Sequence, residues 1–348
     1  MTEPSSAAPP ALSPAAAAIR GGDRRALARA ITLIESSRAD HRAEAEALLA
    51  ELLPHSGEAI RIGISGAPGV GKSTFIEAFG LHAIDIGRRL AVLAVDPSSA
   101  RSGGSILGDK TRMERLASRD AVYIRPSPAR GQLGGVARRT REAMLLCEAA
   151  GYDLVMIETV GVGQSEMAVA GMVDLFLLLI APGGGDELQG VKRGILEVAD
   201  LVVVTKADGA LEETARHTEA DYRSALSLMR PNSPHWTPRV MACSALEGRG
   251  LEAIWQAVLE HHTALSKPSA LAEKRADQAR AWLWSEVQDG LIAALEDEPR
   301  IAALAASLES AAEAGRALPP AAAREIVNAF LHRPPVPAKK PGKAGPKA

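Results

Sequence analysis

Aromatic residues are scarce in this chain, 3% of its 348 residues, and cysteines number only two. A core with so little Phe, Trp and Tyr must be filled by Ala, Leu, Val and Ile, which suits parallel strands covered on both faces by helices. Cys147 and Cys243 lie far apart with no C-x-x-C spacing. Neither a disulfide framework nor a zinc cluster is indicated, and each reads as a small buried apolar group in a reducing compartment. No sign of charge predominates: 40 basic against 42 acidic residues leave a formal −2, and so no field that would draw nucleic acid or an anionic membrane. Long hydrophobic runs are absent too. The longest, Leu175-Phe-Leu-Leu-Leu-Ile180, falls well short of the ~18 residues of a membrane span and has the length of a buried strand. The first residues lack the basic start and Leu-rich run of a secretory signal. Together these absences describe a soluble cytoplasmic protein that meets small ligands or protein partners.

What is present changes character along the chain. Residues 1–22, rich in Ala, Ser and Pro, read as disordered. Asp23 is placed to cap a helix with Leu27, Ile31 and Ile34 on one face, and a second helix runs to about Pro54, so 23–56 reads as a helical extension. From 57 to 266, short β-branched runs alternate with helical stretches, the pattern of βα units. Strands are expected at 59–65, 90–95, 121–124, 154–158, 175–180, 201–205 and 240–244, making a doubly wound, mostly parallel α/β sheet flanked by helices. Beyond Ser266 the β signals stop. Residues 267–332 read as a helical appendage, led by one long helix over 270–295 that carries Trp282 and Trp284. Residues 333–348, with Lys339, Lys340, Lys343 and Lys347 among Pro and Gly, read as a disordered basic tail.

The octet Gly66-Ala67-Pro68-Gly69-Val70-Gly71-Lys72-Ser73 matches G-x-x-x-x-G-K-[ST] and stands between an expected strand and an expected helix. The glycines let the backbone wrap closely, so that successive N–H groups and the helix start, through Thr74, face phosphate oxygens. Lys72 would neutralise the β and γ oxygens, and the Ser73 hydroxyl would serve Mg2+.

Thr205-Lys206-Ala207-Asp208 follows a later strand and resembles the N-K-x-D guanine motif, with Thr in place of Asn. A carboxylate at Asp208 can accept from the N1–H and exocyclic amine of guanine, a donor pair adenine does not offer, so GTP/GDP is the expected ligand. Lys206 can lie along the base. The Thr205 departure leaves the usual polar tether at that position in question. Cys243-Ser244-Ala245 resembles the element whose backbone N–H meets the guanine O6. Glu158-Thr-Val-Gly161 stands where D-x-x-G is usual, with Gly161 placed to sense the γ-phosphate. No Gln follows Gly161, so slow intrinsic turnover is expected.

Four further stretches, Asp96-Pro-Ser-Ser99, Gly103-Gly-Ser-Ile-Leu-Gly-Asp109-Lys-Thr-Arg-Met113, Glu158 through Glu166 and Gly185-Asp-Glu-Leu-Gln-Gly-Val-Lys192, closely resemble the methylmalonyl-CoA mutase-associated GTPases. The resemblance implies a GTP-hydrolysing chaperone that gates adenosylcobalamin loading and protects a cobalamin-dependent acyl-CoA mutase, and that forms a homodimer through its C-terminal helices. It also implies roles for single residues. Asp96 and Asp109 would serve Mg2+ and a first switch, Glu158 a second, and Lys192 would reach the nucleotide from a third when the mutase is bound. Lys72, Asp109, Glu158 and Lys192 are thereby the candidate catalytic groups. A nucleotide-dependent adaptor or a metal-delivery GTPase is the alternative, although the eight scattered histidines make a poor metal site.

Overall fold

Seven apolar runs pair side by side, all in parallel. In the computed structural model of the chain the described residues are 12–36, 38–95, 113–125, 133–159, 164–183 and 193–331. The strands are β1 (Ile60–Gly66), β2 (Leu90–Val95), β3 (Val122–Arg125), β4 (Leu154–Thr159), β5 (Leu175–Ile180), β6 (Leu201–Val204) and β7 (Arg239–Ala242), in the order β3-β2-β4-β1-β5-β6-β7. The helices used below are α1 (Pro14–Arg20), α2 (Arg24–Ile34), α3 (Ala39–Leu52), α4 (Lys72–Asp85), α5 (Leu133–Ala149), α6 (Gln164–Ala170), α7 (Glu212–Ser227), α8 (Leu251–Ser266), α9 (Ala270–Glu296), α10 (Pro299–Glu313) and α11 (Pro319–Phe330).

The strands are continuously apolar because both faces of the sheet are covered, and their alternation divides one sequence between two cores. Ile62, Ile64, Val92, Met156, Leu177 and Val203 turn to the face lined by Phe75 and Phe79 of α4 and Trp255 of α8. Leu93, Val155, Ile157, Phe176, Leu178 and Val202 turn to the other face, with Cys147 of α5 and Tyr222 of α7. The N-terminal helices join this second core. Asp23 caps α2 by accepting from Arg25 and Ala26 N–H, and Leu27, Ile31 and Ile34 are buried as the periodicity predicts.

Two expectations are corrected. Disorder expected through residue 22 gives way to α1, because Ser13 caps the Ala-rich run, Pro14 is preset for a first helical turn, and Ala16 and Ile19 are buried. The Ser13 N–H also donates to Glu51 of α3 at 2.8 Å. The chain divides into two compact units at Ala279 and Arg280, inside α9, rather than after Ser266.

The reason lies at the amino edge of the sheet. There Arg275, in the first half of α9, donates to both Asp174 carboxylate oxygens (2.8 and 2.6 Å), to the Ala59 carbonyl at 2.7 Å and to the Gly57 carbonyl. Asp174 also accepts from the Arg61 N–H at 2.9 Å, and Gln278 donates to the Val173 carbonyl. Nearby, Asp200 accepts from the Phe176 N–H, and His261 lies 3.9 Å from it, edge-on to Trp236. Burial, with Lys274 beside it, pushes His261 down to about 3 and so keeps it neutral. The first turns of α9 therefore belong to the sheet unit.

In the second unit α10 and α11 pack on each other, with Ile301 and Ala322 buried. Leu283, Trp284, Val287, Leu291 and Ile292 of α9 are exposed. The expected basic tail, 333–348, lies outside the described residues.

Candidate functional site

Where β1 ends at the carboxyl edge of the sheet, the chain turns through residues 66–71 into α4. Gly66 passes so near β5 that a Cβ there would stand 2.6 Å from the Leu179 carbonyl oxygen, and Gly71 caps α4 at φ +97°, a conformation that favours glycine. Both glycines are therefore required by the path of the loop. The Lys72 ammonium reaches back across the loop to the Gly66 and Ala67 carbonyls, at 2.8 and 3.2 Å. Burial lowers its pKa, while the charges of Glu158 and Glu166 oppose that fall.

Glu158 lies buried near the end of β4, in register with Ile64 of β1, and Glu166 is buried on α6. Next to Glu158, the Thr159 hydroxyl donates to Ser65 at 2.9 Å, a buried pair joining β4 to β1 just below the loop. Ser73 sits in the first turn of α4, half-buried, with Thr74 exposed beside it. A Ser hydroxyl and a buried carboxylate beside a phosphate-type loop are the hard oxygen donors that Mg2+ takes, so these residues fit that ion. Asp96, Asp109, Gly161 and Lys192 lie outside the described residues.

The ends of β6 and β7 converge on the same loop. The Thr205 hydroxyl, buried, donates to the Val70 carbonyl at 2.7 Å, with the Ile180 carbonyl at 3.2 Å, so the tether that the missing Asn left in question is made by Thr. Lys206 adopts a left-handed φ of +53° and extends along the loop to the Gly69 carbonyl at 2.8 Å. One residue on, Asp208 accepts from the Ser244 hydroxyl at 2.5 Å, and that hydroxyl in turn accepts from the Glu247 N–H at 3.1 Å. Ala245 follows, half-buried. Cys243, beneath them, is a free thiol whose pKa burial pushes up to about 12, so it is inert packing.

A loop fit for phosphates thus lies beside a carboxylate fit for guanine, joined through Thr205 and Lys206. The family model described as methylmalonyl Co-A mutase-associated GTPase MeaB matches residues 27–300. The chain belongs to the MeaB family of GTPases. Among relatives of this MeaB-family chain, the GTPase ArgK of Escherichia coli strain K12 is 50% identical over 274 residues, covering 79% of this chain and 83% of that one. The mouse methylmalonic aciduria type A homolog, a mitochondrial protein, is 48% identical over 322 residues, covering 90% of this chain and 78% of that one. A crystal structure described as LAO/AO transport system kinase superposes with a TM-score of 0.73 at 38% identity, covering 91% of this chain and 96% of that one. The fold is thereby that of a P-loop GTPase, and the chain is a GTPase.

The structure brings the Gly66–Ser73 loop together with Thr205 and Lys206, and Asp208 together with Ser244. Two contacts of the site were not legible in the sequence: the Arg249 guanidinium donating to the Ala207 carbonyl at 2.9 Å, and the Ser65–Thr159 pair. Neither stands in a motif, and only the parallel pairing of β1 with β4 brings Ser65 to Thr159.

Proposed function

We propose that this MeaB-family GTPase is a GTP-gated chaperone for a cobalamin-dependent acyl-CoA mutase, controlling the loading of adenosylcobalamin and protecting the loaded enzyme. The observation that carries the reading is the match of residues 27–300 to the mutase-associated GTPase family, and the Thr205 bond to Val70 supports it by linking the strand end before Asp208 to the glycine-rich loop as one unit. Such a unit can report the state of the nucleotide to a partner. In this reading the N–H groups of residues 66–74 cradle the phosphates and Lys72 exchanges its loop carbonyls for the β and γ oxygens. Asp208 accepts from guanine N1–H and amine, Lys206 lies along the base, and the Ala245 N–H meets O6. Ser73, with Glu158, Asp96 and Asp109, would hold Mg2+, which neutralises charge on the phosphates. Water attacks the γ-phosphorus, GDP leaves with the electron pair of the broken P–O bond, and Gly161 loses the contact that reports GTP. Lys192 completes the charge complement when the mutase binds.

The two free, buried cysteines support a reducing compartment, the cytoplasm. The exposed apolar residues of α9 support a homodimer, since a second copy is the commonest cover for such a face. Light scattering at tens of micromolar should give twice the chain mass, and a monomer there would remove the dimer from the proposal. The gating itself is read by following adenosylcobalamin transfer into the apo-mutase spectroscopically. Transfer should depend on the nucleotide, proceeding with GTP and stalling with a non-hydrolysable analogue. Equal transfer with GTP, the analogue and no nucleotide would exclude gating.

A further inference from the structure

We infer that Arg249 is a positioning residue for guanine recognition, locking the loop that carries Asp208 to the loop that carries Ser244. The inference rests on the guanine reading of Asp208 proposed above. Ala207, just before Asp208, is gripped through both of its backbone polar groups. Its carbonyl accepts from the Arg249 guanidinium at 2.9 Å, and the Ala207 N–H donates to the Cys243 carbonyl at 3.0 Å. The two successive peptide planes that lead into Asp208 are thus each held by one bond, which restrains the direction in which its side chain leaves the backbone.

Arg249 closes the other loop as well. Its own carbonyl accepts from the Ser244 N–H at 3.0 Å, and its guanidinium pairs with Glu247 at 2.9 Å within the same turn. A third branch pairs with Glu212, the first residue of α7, at 3.2 Å. Gly250 follows at φ +85°, where a Cβ would stand 2.6 Å from the Ala242 carbonyl oxygen, so the turn is pressed onto the end of β7 and has one path. The Ser244 hydroxyl that holds Asp208 is thus itself placed by a turn that Arg249 staples. The fork of the guanidinium suits this task, for one rigid planar group holds a carbonyl and two carboxylates in fixed directions, whereas the three donors of an ammonium rotate about a single point.

These surface ion pairs contribute little to stability, because the Arg249 side chain is 50% exposed. What the residue controls is orientation, and orientation matters only to a ligand that Asp208 reads. Phosphate binding at Lys72 lies at the other end of the site. The test compares binding of fluorescent GDP and ADP analogues by the full chain, by Arg249→Ala and by Arg249→Lys. Arg249→Ala should lose about tenfold in GDP affinity, the scale of one charge-assisted hydrogen bond, with ADP affinity unchanged, so that the GDP/ADP ratio falls tenfold. Arg249→Lys should fall between, since it keeps the charge and a single bond to Ala207. An unchanged ratio in both variants would overturn the inference, as would an equal loss of both nucleotides, which marks a general structural role. A wild type that itself binds GDP and ADP equally would instead remove the guanine reading on which the inference stands.

Discussion

In the proposed reading Asp208 bears the choice of base, and its surroundings fit that role. A carboxylate that accepts one bond from Ser244 keeps its remaining lone pairs for two donors side by side, and guanine is the purine that presents them. Replacing Asp208 with Asn puts an amide donor where an acceptor stood. Asp208→Asn should therefore weaken GDP binding by about 10²-fold and make the xanthine nucleotide the better ligand, because xanthine offers O2 in place of the amine. Competition binding with the two diphosphates checks this, and unchanged preference for GDP would show that the base is read elsewhere. The residues of this site were legible because each motif fixes a residue type at a strand end. Thr205 was the informative departure. A Thr hydroxyl has one proton to give where an Asn amide has two, and the short contact to Val70 shows that it is spent on the phosphate loop.

At the level of elements, the sheet was legible almost to the residue, since a strand buried on both faces announces itself as an uninterrupted apolar run. The helices were harder. The helix α1 hid in an Ala, Ser and Pro composition that also describes disorder, and only its contact with α2 and α3 decides between the two. The root of α9 was illegible for another reason: Arg275 and Asp174 are 101 residues apart, and nothing local marks them as partners. Their pairing has a stability consequence. Asp174 is 1% exposed, so Arg275→Ala leaves a buried carboxylate with one backbone donor in place of a guanidinium fork. The cost should be about 3 kcal/mol, the lower end for a broken buried pair because the Arg275 side chain is itself 18% exposed. Urea denaturation would read it as a lower midpoint at unchanged slope. A loss under about 0.5 kcal/mol would mean that the pair is solvated and the anchoring of α9 comes from packing alone.

For the whole molecule, the division of labour follows from where the two edges of one sheet lead. Its carboxyl edge carries the glycine-rich loop and the loops proposed to read the base, and its amino edge carries the ionic seat of α9. Family membership gives the nucleotide chemistry, and the proposal adds the mutase as the partner that completes it. The chain has no Gln after Gly161 to orient the attacking water, and in the proposed function the activating groups are organised from outside. The most direct test is single-turnover GTP hydrolysis by the full chain, with and without a cobalamin-dependent acyl-CoA mutase. A slow basal rate should rise by about 10²-fold or more when the mutase is added, the scale of a trans-organised transition state, and Lys192→Ala should remove most of that rise. A basal rate that is already fast, or one that no such mutase changes, would contradict the proposed function.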